Sequence, residues 1–229
     1  MSASPSPTPG ARRLAIFPLP LVLFPGARLP LHIFEPRYRR LLADCQGHDL
    51  EFGIVYREGT PRDPEIERGT VGSVAHIDTV AGLPDGRSNI IVHGVSRFEV
   101  LGVRPDPAPY LVADVQPVVD REEPEEVLRR ASRAVRELVG RVGKAAQSIA
   151  DDGAPMPDFP VDAASLSFAI AQSIDLDVSV RQALLESRSP LERLRQLEHL
   201  LRAVTPAMEE RASTHERAHS NGRGPGVQA

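Results

Sequence analysis

Few side chains in this sequence have a type and spacing that could perform chemistry. Cys45 would be a nucleophile if its thiol ionised, but Tyr38, Leu41, Leu42 and Cys45 fall at i, i+3, i+4 and i+7, one apolar helix face. Free cysteine is among the most buried residue types, so a packing role outweighs a catalytic one. His32, His76 and His93 each lie in an expected strand and would meet only if a barrel brought them together. With no HExxH and no Cys/His ligand spacing, neither a metal nor another cofactor is expected. Lys144, the sole lysine, sits in GRVGKAA. A phosphate loop would need glycine where Leu138 stands and Ser or Thr where Ala145 stands. No catalytic residue is assigned.

Glu35 and Arg37 invite an acid–base reading. The structural alternative is stronger: Glu35 accepts hydrogen bonds at a strand-to-helix junction or pairs with an arginine such as Arg97. Arg37, Arg39 and Arg40, with Arg12 and Arg13, are the nearest thing to a basic patch for RNA. A solvated helix face explains them better, because the net charge is −4 and the pI near 6.0, without the basic footprint of a nucleic-acid binder.

The elements that must position these residues begin with Phe17 to Leu42. The stretch is mostly apolar, but Pro18, Pro20, Pro25 and Pro30 interrupt it, so it is no membrane span. From Arg28 to Phe34 the side chains alternate as strand faces, with Leu29, Leu31 and Ile33 opposite Pro30, His32 and Phe34. A helix follows, with Pro36 in its first turn and Gly47 at its end. Strands are expected from Leu14 to Pro18, Glu51 to Arg57, Thr70 to Val103 and Tyr110 to Val118. The third is folded at the Leu83-Pro84-Asp85-Gly86 turn and broken at Gly94, and Gly59 to Gly69 reads as an exposed loop. Short strands with close turn signals predict a mostly antiparallel barrel or sandwich.

From Glu123 the period becomes helical, with Leu128, Ala131, Val135, Leu138 and Val142 in one stripe. Asp151 to Pro160 interrupts it. Leu166, Ala169, Ile170 and Ser173 form another face. Ser179 with Gln182, and Ser189 with Glu192, fit capping boxes, the second with Pro190 as first helical residue. A final helix carries Leu194, Leu197, Leu201 and Val204 and is expected to stop before Pro206. The expected divisions are a disordered tail over 1–12, a β domain over 13–119, a helical bundle over 120–208 and a second disordered tail over 209–229. One cysteine, so no internal disulfide, and no apolar segment after a basic N-terminus point to a cytoplasmic protein.

The residues then match a family. The stretch PLPLVLFPGARLPLHIFEPRYRRLL, followed by GTVGSVAHI, LPDGRSNIIVHGVSRFEV and LSFAIAQSIDLDVSVRQALLESRSPLERLRQLEHLL, resembles the N-terminal substrate-binding domain of the ATP-dependent Lon protease. The resemblance runs in order from about Leu14 to Leu201. It rests most on Phe24-Pro25-Gly26, Pro30-Leu31, Phe34-Glu35-Pro36-Arg37-Tyr38 and the Gly94 to Phe98 turn with Arg97 and Phe98. It implies an α+β fold, a PUA-like β pseudo-barrel followed by a helical bundle, with Glu35, Arg37, Tyr38, Arg97 and Phe98 as structural residues. It also implies a stand-alone member, without the ATPase and protease modules, that is not an enzyme. The expected partner is an unfolded or tagged polypeptide or another protein, a separate Lon among them. Phe17, Leu21, Leu23, Phe24, Leu29 and Phe34 are the candidates to line a polypeptide-binding groove, each set against a role in the core. The alternative is a small-ligand pocket in or beside the barrel, as in related PUA-like folds.

Overall fold

The structure is a computed structural model that describes residues 10–59, 65–150 and 157–221. In chain order the elements are β1 (Arg12–Leu19), β2 (Arg28–Ile33), α1 (Pro36–Gln46), β3 (Glu51–Tyr56), β4 (Val71–Gly82), β5 (Ser88–Arg104) and β6 (Leu111–Pro117). Then come α2 (Glu125–Ala150), α3 (Ala163–Ser173), α4 (Val178–Glu186) and α5 (Pro190–Asn221). The chain forms two compact units, one holding residues up to Asp120 together with Ala171–Arg188, the other Arg121–Ile170 together with the residues from Ser189 onward.

In the first unit β5 pairs with β4, β4 with β3, β3 with β1, β1 with β6, and β6 again with β5, which closes a ring. Only β1 and β3 run parallel within it. Closure removes sheet edges, which are otherwise templates for unwanted pairing. Leu14, Ile16, Val55, Val74, Phe98, Val100, Ala113 and Val115 pack inside. Phe98 is the largest of these, and a Cβ on Gly53 or Gly72 would come within 2.7 or 2.8 Å of its ring. Small residues on neighbouring strands thus make room for one aromatic plug. Ile66, in the segment read as an exposed loop, is buried in this same core. Residues 60–64 of that segment lie outside the described residues.

The far half of β5 extends beyond the ring and carries β2, which among the described residues pairs with β5 alone. Gly94 does not break β5. The strand continues through it because the Phe24–Ala27 turn crosses there, the Gly26 amide donating to the Gly94 carbonyl (2.8 Å) and the Gly94 amide donating to the Ala27 carbonyl (2.9 Å). A Cβ at position 94 would sit 2.2 Å from the Phe24 carbonyl oxygen. Glycine is required by close approach, not by a chain break.

Residues 171–188, expected in the helical bundle, belong to this first unit. Buried Arg97 donates to the carbonyls of Leu185 (2.7 Å) and Ser187 (2.6 Å) and to Asp120 (2.5 Å). Gln182 donates to the Val71 carbonyl. Arg97 therefore does not pair with Glu35, and the carbonyls it satisfies end α4. That helix starts at Val178 after Asp177, so Ser179 lies inside it and is not its cap.

In the second unit the Ser189 expectation is met in half. Its hydroxyl accepts from Glu192 N (3.0 Å), but the carboxylate that completes the cap is Glu123, which accepts from Leu191 N (2.9 Å) and Ser189 Oγ (2.5 Å). Arg193 is fully buried, its Nε 2.8 Å from Ser167 Oγ and its guanidinium 4.2 Å from the Phe168 ring centroid. Helix α5 passes through Pro206 to Asn221, beyond both the expected stop and the expected tail at 209. An interior proline costs roughly 3 kcal/mol, and the contacts with α2 offset it. Arg141 grips Glu209 with two 2.8 Å bonds, Ser148 reaches Glu216 two turns further along both helices, and Ala212 is buried. At the other end of the chain Arg12 belongs to β1, paired with Val115, and not to a tail.

Candidate functional site: an apolar groove beside an open strand edge

The passage from β2 into α1 builds the site. Alternation sends Leu29, Leu31 and Ile33 to the covered face and leaves Pro30, His32 and Phe34 outside, as the burial pattern of the strand shows. Glu35 then caps α1 with an extended backbone and no side-chain bond, Pro36 occupying the first helical position. Its carboxylate is free to take Arg37, whose Nε and Nη2 lie 3.0 and 2.9 Å from Oε2. The Arg37 guanidinium stands 4.6 Å over the Tyr38 ring, and that ring packs on Phe17 with centroids 4.0 Å apart. Burial holds the Tyr38 phenol above its usual range, with the Arg37 charge acting against it.

Between the end of β1 and the start of α1 these side chains enclose a groove of about 170 Å³. Phe17, Leu31, Ile33 and Tyr38 give it apolar walls, Pro18 to Pro20 one lip, and His32, Phe34, Glu35 and Arg37 the other. Phe34 is 58% exposed and stacks on His32 at 6.0 Å. Leu31 and His32 also border a shallow depression over the outer face of β2, β5 and β4, formed with Pro30, Thr79, Ala81, Asn89, Ile90 and Ile91.

Of the candidates from sequence, Phe17 and Phe34 line the groove. Leu21, Leu23, Phe24 and Leu29 do not, and Leu23 and Phe24 are core at 3% and 0% exposure. The Phe24–Ala27 turn folds back on β5, which covers that half of the stretch. Leu31 and Ile33, whose alternation is legible, and the prolines of the lip, which read only as turn signals, also line the groove and are not among those candidates. Glu35, Arg37 and Tyr38 were placed in structural roles and stand in the groove wall.

The remaining chemical candidates resolve simply. Cys45 is buried, its thiol donates to the Glu51 carbonyl (3.3 Å), and burial, with Asp49 and Asp44, pushes its pKa up to about 12. A thiol held protonated is no nucleophile. Tyr110 donates to Asp44 (2.8 Å), and burial together with that bond raises its pKa. His76 and His93 meet across β4 and β5 with centroids 5.3 Å apart, while His32 stays apart from them, 2.7 Å from Asn89. Among the described residues no group of three or more His, Cys, Asp or Glu is arranged to hold a metal ion. Nor is any described helix long and apolar enough to cross a membrane.

Comparison with known proteins agrees with this architecture. The profile of the ATP-dependent protease La (LON) substrate-binding domain matches residues 13–203. Lon protease 2 of Herpetosiphon aurantiacus is 32% identical over 186 residues, 79% of this chain and 22% of that one. The Lon protease of Geobacter metallireducens is 31% identical over 79% of this chain and 22% of its own length. The chain thus spans about a fifth of the length of the curated relatives it matches. Among solved structures, a Lon N-terminal domain protein from Xanthomonas campestris superposes with a TM-score of 0.55 at 27% identity, covering 81% of this chain and 96% of that one. The N-terminal domain of the Mycobacterium avium complex Lon protease gives 0.61 at 19% identity, covering 83% and 98%, a likeness of fold.

Proposed function

Because the chain belongs to the ATP-dependent protease La (LON) substrate-binding domain family, we propose that it is a binding module for polypeptide and that the groove between β1 and α1 takes an apolar side chain of the bound segment. The observation that carries this reading is an exposed aromatic, Phe34, on the lip of an apolar groove next to a strand with one edge unpaired among the described residues. A sheet edge supplies main-chain hydrogen bonds to an extended segment, and a neighbouring pocket selects among its side chains. Pro30 removes one donor from that edge, which favours attachment at the His32 end. In this reading the protein performs no covalent chemistry. Its partner is an unfolded or tagged segment, or such a segment in a folded partner, a separate Lon protease among them, and its setting is protein quality control.

A groove of about 170 Å³ suits one side chain, whereas metabolite sites run to roughly 300–1,000 Å³. At this groove that favours polypeptide over a small ligand, whereas the depression over β2, β5 and β4, at about 360 Å³, is of metabolite size. The test is fluorescence anisotropy of a labelled, permanently unfolded polypeptide titrated with the intact protein and with Phe34→Asp. The expected result is saturable binding that weakens at least tenfold in the variant, with unchanged circular dichroism. Equal binding by both would move the site elsewhere, and no binding by the intact protein would overturn the reading.

A further inference from the structure

The outer face of β3, β4, β5 and β2 carries one row of ionisable residues in direct register: Glu51 opposite His76, His76 opposite His93, and His93 opposite Arg28. His76 and His93 are both partly exposed. Their ring centroids are 5.3 Å apart with an interplanar angle of 54°. Two imidazoles bound to one tetrahedral zinc, with Zn–N bonds of ~2.0–2.1 Å, have centroids about 5 Å apart. Direct cross-strand pairing places the two rings at about that spacing.

A third residue sets the chemistry of the pair. Asp78 is the extra residue at the register shift between Ile77 and Thr79, a β-bulge of the kind that re-aims a side chain. Its Oδ1 lies 2.5 Å from His93 Nδ1, and its Oδ2 lies 3.7 Å from Arg28 Nε. With Nδ1 engaged by the carboxylate, Nε2 is the ring nitrogen available as a metal ligand. A carboxylate on the distal nitrogen is the arrangement that orients metal-bound histidines and raises their basicity. On the other side, Glu51 is held by Arg12 at 2.7 Å.

We propose that His76 and His93 form a two-imidazole site for a divalent transition-metal ion of the zinc, nickel and copper group, oriented by Asp78 and completed by water. Imidazole nitrogens select these ions over magnesium and calcium, which take oxygen ligands. The site is separate from the groove and does not depend on the polypeptide reading.

The test is isothermal titration of the intact, tag-free protein with Zn²⁺ alone. One ion per chain is expected. His76→Ala and His93→Ala should each weaken it at least tenfold, Asp78→Asn about tenfold or more, and His32→Ala, away from the pair, should leave it unchanged. If an alanine variant loses its circular dichroism signature, His76→Gln and His93→Gln replace it, keeping a polar side chain without an imidazole. Absence of binding by the intact protein, or binding kept within twofold by a folded His76 or His93 variant, would overturn the proposal.

Discussion

Residues 21–24 and 31–34 are two short runs of nearly the same apolar character, Leu-Val-Leu-Phe and Leu-His-Ile-Phe, on either side of one turn. They end in opposite places. Val22, Leu23 and Phe24 are core, with Phe24 fully buried, whereas Phe34 is 58% exposed on the lip of a groove. What separates them is cover. The first run is pinned beneath the crossing at Gly94, with the Leu23 carbonyl accepting from Ser73 Oγ at 2.5 Å and the Arg181 guanidinium 5.7 Å from the Phe24 ring centroid. The second lies on and just after a strand that, among the described residues, has no neighbour on its outer side. Apolar composition states how much surface a segment would bury, and the neighbouring chain decides whether it does.

The comparison can be broken most forcefully at Phe24. Phe24→Asp creates a cavity and buries a charge, so it is expected to cost more than the ~3–5 kcal/mol of a buried Phe→Ala change and to unfold the β unit, read as loss of the cooperative thermal transition. Phe34→Asp, the same chemistry on the exposed member, is expected to stay within about 0.5 kcal/mol of the parent. Equal losses for both would show that the two runs are packed alike.

Next in size is Gly94→Ala, which tests the cover itself. With its Cβ 2.2 Å from the Phe24 carbonyl oxygen, the added methyl must displace the crossing turn. An overpacking cost of about 1–3 kcal/mol is expected in chemical denaturation, together with faster amide exchange at Gly26. A neutral outcome would mean that the turn shifts freely and covers little.

The last effect, confined to alkaline pH and absent near neutrality, concerns Cys45, on the covered face of α1. Burial, with the nearby Asp49 and Asp44 charges, pushes its pKa from the 9.0 of a free thiol up to about 12. The thiol then contributes stability in full below pH 9, and this contribution is lost as pH rises from about 9 towards 12, because the unfolded chain releases a proton that the folded chain keeps. Removing the group with Cys45→Ala should make the fall of stability over that window shallower, by at most ~1.4 kcal/mol per pH unit. An unchanged slope would show that Cys45 ionises as readily in the folded chain.

Much of this molecule was legible in the amino-acid order, because it followed from local rules. Alternation placed Ile33 inside and Phe34 outside, and the 3.6-residue period gave the buried face of α1, Tyr38, Leu41, Leu42 and Cys45. The change from period 2 to period 3.6 after Glu123 separated strands from helices, and the motifs between Leu14 and Leu201 carried the family. The tertiary structure alone decided what depends on neighbours distant in sequence. It sent Leu23 and Phe24 to the core and Phe34 to a groove, assigned Arg97 to Asp120 and the end of α4 in place of Glu35, and carried α5 through Pro206 on the strength of α2. It also brought His76 and His93 side by side, next to a bulge that no local signal marks. Periodicity reports which side of an element is apolar. Which element covers that side, and which polar atoms complete one another, are properties of pairs separated by tens of residues, settled only when the chain closes on itself.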